Sequence, residues 1–536
     1  MSVCKKNYKD QASYAYVVCT TRSDADVFST GAAYMFDTDL ASVVYSSDIS
    51  SDITWDEDGG TFTFANAGVY HVIVTAITSA DTNQTQTVQI NQHTGGVWTT
   101  RLEGVGYFNT GYEPKEHTWQ RIISAAAGDI IDVKVTTNTG GGGIEKGSSI
   151  IIKEITSGDY ASQTVSTGAT YTSAAEINPF DTSVGSGAAI VSAFKVSSGI
   201  AISANSDKLT VPRDGRYFIM VTNNLKAQGA AAALVTIYLN KNSASSSGEL
   251  QQKKPLMRSN DDPSETTLCT VYELEASDYL TVTWDPAGGV ASNAEKGATF
   301  TAYRLSDGEF SSATDMTGWY GDQIISVQQT AQDSDAAAAD INPFSDADFS
   351  SNATYVTSFS DGGITHNSSN GKFTVSEPGL YAIFFTPLLS VSAGLLVTSK
   401  ILVGSKVVAT NDTQKVSADP DPLDRSLSAL VELEKNDEIT VTVDGDHVSN
   451  TLTAKIGTQL TIFRYFNHFK KGDHPSAGDI LTDDNIINTY SDELSEQFSR
   501  NVDQVPFILG HRCAGTLRGR CGLDNGSVVH LGDKKN

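Results

Sequence analysis

The chain is poor in cysteine and in positive charge. Its 536 residues include only 5 Cys, and 37 Lys and Arg stand against 63 Asp and Glu, which gives a formal net charge of −26. The cysteines do not recur at equivalent places along the chain, so no disulfide framework is expected and free thiols are favoured. The negative charge repels phosphate, which argues against nucleic acid as a partner.

Long apolar runs and enzyme motifs are also lacking. No stretch approaches the roughly 18 apolar residues that a membrane helix needs, and the opening sequence MSVCKKNYKDQASYAY lacks the apolar core of a signal peptide. The 9 histidines show no HExxH or HxH spacing, and no GxSxG, Walker or Rossmann fingerprint occurs. We therefore expect no enzyme, no cofactor and no membrane insertion. Acidic loops at 56–58 and 419–421 leave calcium open, since hard cations prefer oxygen ligands.

What the chain does contain is a threefold internal repeat. The first mark of each copy is a Gly-x-Tyr opening an apolar run, the second an Asp before an alternating strand, and the third a Gly before a last strand. These marks fall at Gly68, Asp129 and Gly147, at Gly215, Asp278 and Gly297, and at Gly379, Asp437 and Gly457. A unit of roughly 150 residues is a whole domain, so three tandem copies of one fold are predicted.

The repeats set the predicted domain boundaries. The chain divides into an N-terminal arm at 1–12, repeat 1 at 13–156, repeat 2 at 160–306, a linker at 307–319, repeat 3 at 320–467 and a tail at 468–536. Repeats 2 and 3 form the closer pair, because both contain the sequence INPF, ending at Phe180 and Phe344, at the same distance before the Gly-x-Tyr.

The run after each Gly-x-Tyr alternates as a β-strand does. Tyr70, Val72 and Val74 project to one face, whereas His71 and Ile73 project to the other. One of these faces must be core. The opposite face is also partly apolar in all three copies, which predicts that a neighbouring structure covers this sheet.

The order of elements resembles a known family of head domains. A Gly-x-Tyr strand is followed by xIxLNK, then LExxDxLTVTW, then EKGxTFTAYRL, with the best match in repeat 2 from Gly215 to Leu305. This order resembles the globular head of complement subcomponents and of the tumour necrosis factor superfamily. The resemblance implies an all-β chain of three tandem jelly-roll β-sandwiches. It also implies three protomers packed about an axis, with Tyr303 and Phe463 of the last strands as candidate trimer contacts.

The tail differs from the repeats. Its sequence predicts a helix at about 484–502, in which apolar residues recur at four-residue spacing. From Arg500 onward 6 basic residues stand against 3 acidic ones. A basic end on an acidic chain predicts docking onto an acidic partner, whereas a tail that packs back on repeat 3 is the alternative. The candidate anchor residues are Phe498, Arg512, Arg518 and Arg520.

Together these features favour a structural protein of a virion. No collagen-like stalk precedes the heads, and tandem heads of this kind resemble viral and phage structural proteins. We expect a homotrimeric decoration, spike or fibre protein, located in the virion and attached through its terminal segment to other capsid or tail proteins. The heads would stabilise the particle or bind a host receptor or glycan. The alternative is a non-viral extracellular adhesin or lectin-like binding protein.

Overall fold

The fold is described here from a computed structural model. It describes residues 13–465 with gaps at 22–31, 41–42, 81–83, 109–114, 139–140, 156–157, 172–175, 184–189, 196–198, 228–232, 258–263, 287–291, 306–322, 332, 338–339, 349–354, 361, 392–395, 415–422, 425 and 446–449. In this part of the chain no helix has the length and apolarity needed to span a membrane. The predicted helix at 484–502 lies outside the described residues.

The described residues form β-strands almost throughout. Repeat 1 contains β1 (Tyr14–Cys19), β2 (Ala32–Tyr34), β3 (Tyr45–Ile49), β4 (Ile53–Asp56), β5 (Thr61–Phe64), β6 (Gly68–Ala80), β7 (Gln84–Thr94), β8 (Val97–Phe108), β9 (Lys115–Ala125), β10 (Ile130–Thr137), β11 (Gly142–Ile144) and β12 (Ser149–Glu154). Repeat 2 contains β13 (Tyr160–Thr167), β14 (Ala169–Tyr171), β15 (Ile190–Lys195), β16 (Ala201–Ile202), β17 (Leu209–Thr210), β18 (Gly215–Ala227), β19 (Ala233–Lys241), a 3-10 turn (Ser246–Gly248), β20 (Glu249–Lys253), β21 (Leu256–Met257), β22 (Ser264–Leu274), β23 (Tyr279–Pro286), β24 (Ser292–Ala294) and β25 (Thr299–Arg304). Repeat 3 contains β26 (Ile324–Gln329), β27 (Asp333–Ala337), β28 (Tyr355–Ser360), β29 (Ile364–Asn367), β30 (Lys372–Val375), β31 (Gly379–Thr386), β32 (Leu388–Val391), β33 (Leu396–Val403), β34 (Lys406–Gln414), β35 (Leu423–Asp424), β36 (Leu427–Leu433), β37 (Glu438–Gly445), β38 (Asn450–Ala454) and β39 (Gln459–Arg464).

Each repeat has two main antiparallel sheets with the same strand order, and repeat 3 has a further small sheet, β27-β38-β32-β35. The inner sheet runs β9-β6-β12-β1-β3 in repeat 1, β22-β18-β25-β13-β15 in repeat 2 and β36-β31-β39-β26-β28 in repeat 3. The outer sheet runs β8-β7-β10-β5-β4, β20-β19-β23-β17-β16 and β34-β33-β37-β30-β29 in the same order of repeats. The prediction of an all-β chain of jelly-roll sandwiches is therefore confirmed.

The tyrosine of each Gly-x-Tyr ties its strand to the preceding turn. The hydroxyl of Tyr70 donates to a backbone carbonyl four residues upstream at 3.2 Å, that of Tyr217 does so at 2.8 Å and that of Tyr381 at 2.7 Å. A buried phenol needs a hydrogen-bond partner, and the turn supplies it. The first sequence mark thus fixes the turn from which the chain enters the strand.

The recurrent Asp closes the turn before the strands β10, β23 and β37. The carboxylates of Asp129, Asp278 and Asp437 accept the backbone N–H three residues upstream, at 2.9, 2.8 and 2.8 Å. The residue before each Asp has a positive φ: Gly128 at 85°, Ser277 at 76° and Asn436 at 70°. Small and Asn side chains tolerate this conformation better than most others. The second mark is therefore a turn of fixed geometry.

The two faces of each inner sheet have different partners. Tyr70, Val72 and Val74 are buried in the core of repeat 1, as Tyr217, Ile219 and Val221 are in that of repeat 2. The opposite faces of the three inner sheets join one further cluster that contains buried residues of all three repeats. The prediction that something covers this second face is confirmed, and the cover is the other two repeats of the same chain.

Candidate functional site at the meeting of the three repeats

The three inner sheets meet in a buried cluster that we call the hub. It consists of His71, Ile73, Ile122, Ile151 and Lys153 of repeat 1, Phe218, Met220, Val271 and Tyr303 of repeat 2, and Ala382, Phe384, Leu430, Phe463 and Tyr465 of repeat 3. Burial of this much apolar surface contributes strongly to holding packed elements together, at roughly 25 cal/mol per Å². The hub thus holds the three sandwiches together as one unit.

Equivalent strand positions converge at the centre of the hub. Lys153 is paired across the sheet with His71, Tyr303 with Phe218, and Phe463 with Ala382. Lys153, Tyr303 and Phe463 therefore occupy the same place in the three copies of the fold. The three copies have the same backbone arrangement, but they place different kinds of side chain at this position.

The ammonium of Lys153 lies among aromatic rings from the other two repeats. Its Nζ is 5.1 Å from the ring centroid of Tyr303, 4.6 Å from that of Phe463 and 4.4 Å from that of Tyr465. Burial lowers the pKa of Lys153 to about 7, because an apolar site disfavours the charged form. The faces of the rings stabilise the cation in turn, and the Tyr303 hydroxyl lies 3.5 Å from Nζ.

His71 occupies the neighbouring place in repeat 1. Its Nε2 is 2.8 Å from Oε1 of Gln120, whose Nε2 donates to the Met220 carbonyl of repeat 2 at 2.9 Å. Burial lowers the pKa of His71 to about 3, so the ring is neutral near pH 7 and Nε2 carries the proton donated to Gln120. The ring centroids of Phe218 and Tyr303 lie 6.0 and 5.5 Å away.

Around the hub, one acidic residue of each repeat reaches the next repeat in a cyclic order. Glu265 of repeat 2 accepts the backbone N–H of Thr118 in repeat 1 and lies 3.1 Å from Nδ1 of His117. Asp424 of repeat 3 accepts the equivalent backbone N–H, that of Thr267 in repeat 2, at 2.9 Å. These two contacts give neighbouring repeats the same relative placement.

Each acid has a different main partner. Asp424 Oδ2 lies 2.5 Å from Nζ of Lys253, whose side chain is fully buried, and Glu116 of repeat 1 accepts from Asn411 Nδ2 of repeat 3 at 2.6 Å. Burial, with the charges of Glu116 and Asp424 nearby, raises the pKa of Glu265 well above its usual range. Each of the three junctions thus uses one acidic residue, but the side-chain donors differ: a histidine, a lysine and an amide.

The glycine of the third mark lies where adjacent repeats come closest. A Cβ on Gly297 would meet the Cα of Gly104 in repeat 1 at 2.8 Å, and one on Gly457 would meet the Gln252 carbonyl oxygen of repeat 2 at 2.6 Å. A Cβ on Gly147 would overlap the carbonyl oxygen of Thr410 in repeat 3. Repeat 2 therefore approaches repeat 1, repeat 3 approaches repeat 2, and repeat 1 approaches repeat 3.

The sequence analysis named Tyr303 and Phe463 as contacts between the chains of a trimer and did not name Lys153. Tyr303 and Phe463, the candidate axis residues, are 2% and 1% exposed and lie together in the hub. The candidate anchor residues Phe498, Arg512, Arg518 and Arg520 lie outside the described residues. Sequence reasoning missed Lys153, although its position follows from the spacing to the third-mark glycine, which is the same as for Tyr303 and Phe463.

Cysteine and metal chemistry were also considered from the sequence. Cys19 and Cys269 are buried free thiols, as the sequence favoured; the other cysteines lie outside the described residues. Within the described ranges, no group of three or more His, Cys, Asp or Glu side chains is arranged to hold a metal ion.

Comparison with known proteins gives distant structural neighbours only. No family model matches the chain, and no curated protein does. Among solved structures, murine APRIL at pH 5.0 is 13% identical, with 27% of this chain and 99% of that chain covered and a TM-score of 0.21. The Eiger TNF of S. frugiperda is 15% identical over 27% and 93%, with a TM-score of 0.21. Murine APRIL at pH 8.5 is 14% identical over 27% and 99%, with a TM-score of 0.19. These neighbours are jelly-roll proteins of the tumour necrosis factor family, and the likeness concerns fold alone.

Proposed function

We propose that this chain is a structural protein of a virus particle, a capsid decoration, spike or fibre protein that presents three jelly-roll heads as one rigid unit. The observation that carries the proposal is the hub, in which buried residues of all three repeats form a common core. A shared core of this kind keeps the heads in a fixed mutual arrangement. Several heads held together can multiply weak contacts with a surface.

We further propose that the threefold arrangement is completed within one chain. Tyr303 and Phe463, the residues expected at the axis of a homotrimer, are already covered by other repeats. A trimer made of three copies of repeat 1 would bring three Lys153 ammoniums together in an apolar centre, which is strongly unfavourable. We therefore expect a single chain in solution, and a homotrimer of chains is the alternative.

The ends of the three-headed body support attachment through the terminal segments. Tyr14, which begins the first strand, and Tyr465, which follows the last, have ring centroids 6.4 Å apart. The Tyr465 hydroxyl donates to the Glu154 carbonyl at the end of repeat 1, at 3.1 Å. The arm at 1–12 and the tail beyond 465 therefore connect to the same end of this body, where both can serve one attachment site.

The proposal is tested by deletion of residues 470–536. We expect the truncated chain to keep the melting temperature of its three-headed body but to be lost from purified particles, because the tail carries the basic residues that would dock on an acidic partner. Deletion of residues 1–12 is the matched control for the other end. Normal incorporation of both truncated chains would overturn terminal anchoring. A protein found on cell surfaces and never in particles would favour the adhesin alternative.

A further inference from the structure

Repeat 1 carries an aromatic platform on the outer face of its outer sheet, formed by Tyr34, His93, Trp98, Asp132 and Lys134. The Nζ of Lys134 lies 4.8 Å from the ring centroid of Tyr34 and 5.5 Å from that of Trp98. His93 and Trp98 have ring centroids 5.0 Å apart. The platform is therefore a connected cluster spanning three neighbouring strands and the paired β2.

The carboxylate of Asp132 is the buried member of the platform. Asp132 is 0% exposed; its Oδ1 accepts from Asn91 at 2.7 Å, and its Oδ2 lies 3.8 Å from Lys134 Nζ and makes no hydrogen bond within the described part of the chain. Burial raises the pKa of Asp132. A buried carboxylate oxygen that lacks a hydrogen bond costs stability.

Trp98 is an exposed residue that follows the tight hairpin turn between β7 and β8. The turn between β7 and β8 contains Gly95 and Gly96, with φ of 59° and 88°, as a two-residue turn with both φ positive requires. Trp98 is 44% exposed, whereas Trp119 and Trp284 are fully buried. Because its ring reaches Lys134 two strands away, it lies over the side of the sandwich and not beyond its end.

The other two repeats show that the fold does not need these residues. Strand pairing places Asn178 and Asn342 where repeat 1 has Tyr34, next to the residues that correspond to Lys134. Counted from the turn aspartates, Asp132 corresponds to Thr281 and Thr440, and Lys134 to Thr283 and Thr442. The same sandwich forms with threonine at both places. The platform is therefore a property of repeat 1 and not of the architecture.

We propose that the platform binds a neutral saccharide through one hexopyranose ring. Trp98, which is 44% exposed, offers apolar ring surface to the C–H face of a pyranose, and Lys134 and His93 offer polar atoms to its hydroxyls, which is the usual composition of a small-molecule site. Lys134 and Asp132 nearly cancel in charge, which favours a neutral ligand. This proposal rests on the presentation role proposed above and names the ligand class of one head.

The test uses the full chain labelled with ¹⁵N and a panel of methyl hexopyranosides as probes. The chain has 5 Trp, and Trp98→Phe assigns one indole N–H signal by removing it. We expect one hexopyranoside to shift the Trp98 signal in a saturable way. Trp98→Ala should weaken binding by about tenfold, the loss expected for one stacking contact.

A second variant shows whether a loss of binding comes from the site or from misfolding. Asp132→Thr combined with Lys134→Thr places in repeat 1 the two residues that the other repeats carry, so it should keep the fold and still weaken binding. Val407→Ala, at an exposed residue of repeat 3, should leave binding unchanged. If no hexopyranoside shifts the Trp98 signal, or if Trp98→Ala binds as the unmodified chain does, the saccharide site is wrong. Particle incorporation is measured separately, so either result leaves the anchoring test intact.

Discussion

Lys153 and Phe463 occupy the same position in repeats 1 and 3, and the ammonium of the first lies 4.6 Å from the ring centroid of the second. If the three repeats had the same sequence, three copies of one residue would meet at this position in the hub. Here the lysine of repeat 1 meets aromatic rings instead, because Tyr303 occupies the same position in repeat 2. The repeats have diverged so that each complements the others, which ties the threefold arrangement to a single chain.

Replacement of Lys153 by Met should stabilise the chain. A buried cation is costly, and an apolar residue of similar volume commonly adds about 1–4 kcal/mol to the free energy of unfolding. We expect the Lys153→Met variant to need more denaturant for unfolding at pH 7. Lys406→Met, at an exposed position, is the control and should change stability by less than about 0.5 kcal/mol. A clear loss of stability in Lys153→Met would mean that the contacts with the rings outweigh the cost of burial.

The same variant should remove a pH dependence. The pKa of Lys153 is about 7 in the folded chain and 10.5 as a free group, so between these values the unfolded chain binds more protons and stability rises with pH. From pH 7 to pH 9 this gain is about 2–3 kcal/mol at most. Denaturant unfolding at both pH values should show the gain in the unmodified chain and not in Lys153→Met. Equal slopes in the two proteins would contradict a lowered pKa.

Lys253 and Asp424 should be strongly coupled. They form a buried ion pair between repeats 2 and 3, with 2.5 Å between Nζ and Oδ2. Removal of one partner leaves a buried charge unpaired, so Lys253→Met or Asp424→Leu alone should cost about 3–5 kcal/mol. The double variant should recover much of this loss. Chemical unfolding of the four proteins forms a double-mutant cycle, and additive losses would rule out direct coupling.

Gly297 should tolerate no side chain. Its φ is 101° and a Cβ would meet the Cα of Gly104 at 2.8 Å, so Gly297→Ala combines backbone strain with a clash between repeats 1 and 2. Gly362 also has a positive φ, 82°, but no atom of the described residues lies within 4 Å of its Cβ position, its chain neighbours aside. Gly362→Ala should therefore cost only the strain, about 1 kcal/mol, and Gly297→Ala distinctly more in thermal unfolding. Equal costs would argue against close packing of these two repeats.

The sequence was sufficient to predict the fold of the repeats because the relevant signals are local. Alternation after each Gly-x-Tyr separated Tyr70 and Val72 from Ile73, and these residues do face different cores. The family resemblance pointed to Tyr303 and Phe463 as contacts between three chains, whereas the structure has them in the hub between the repeats of one chain.

The partners across the junctions were beyond local patterns. Lys253 and Asp424 are 171 residues apart in the chain, and no spacing links a lysine in one repeat with an aspartate in the next. Lys153 stands in an apolar run, IIIKEI, where alternation shows that it faces away from the core of its own repeat. What lies on that side is decided by the packing of whole sandwiches, which the run does not encode by itself.

The molar mass of the full chain in solution, measured by light scattering during size-exclusion chromatography, tests most directly whether the three heads complete their arrangement within one chain. A single chain has a mass of 57.0 kDa, and we expect this value across the peak, unchanged on dilution. A mass three times as large would contradict the single-chain arrangement and would favour the homotrimer inferred from the family resemblance.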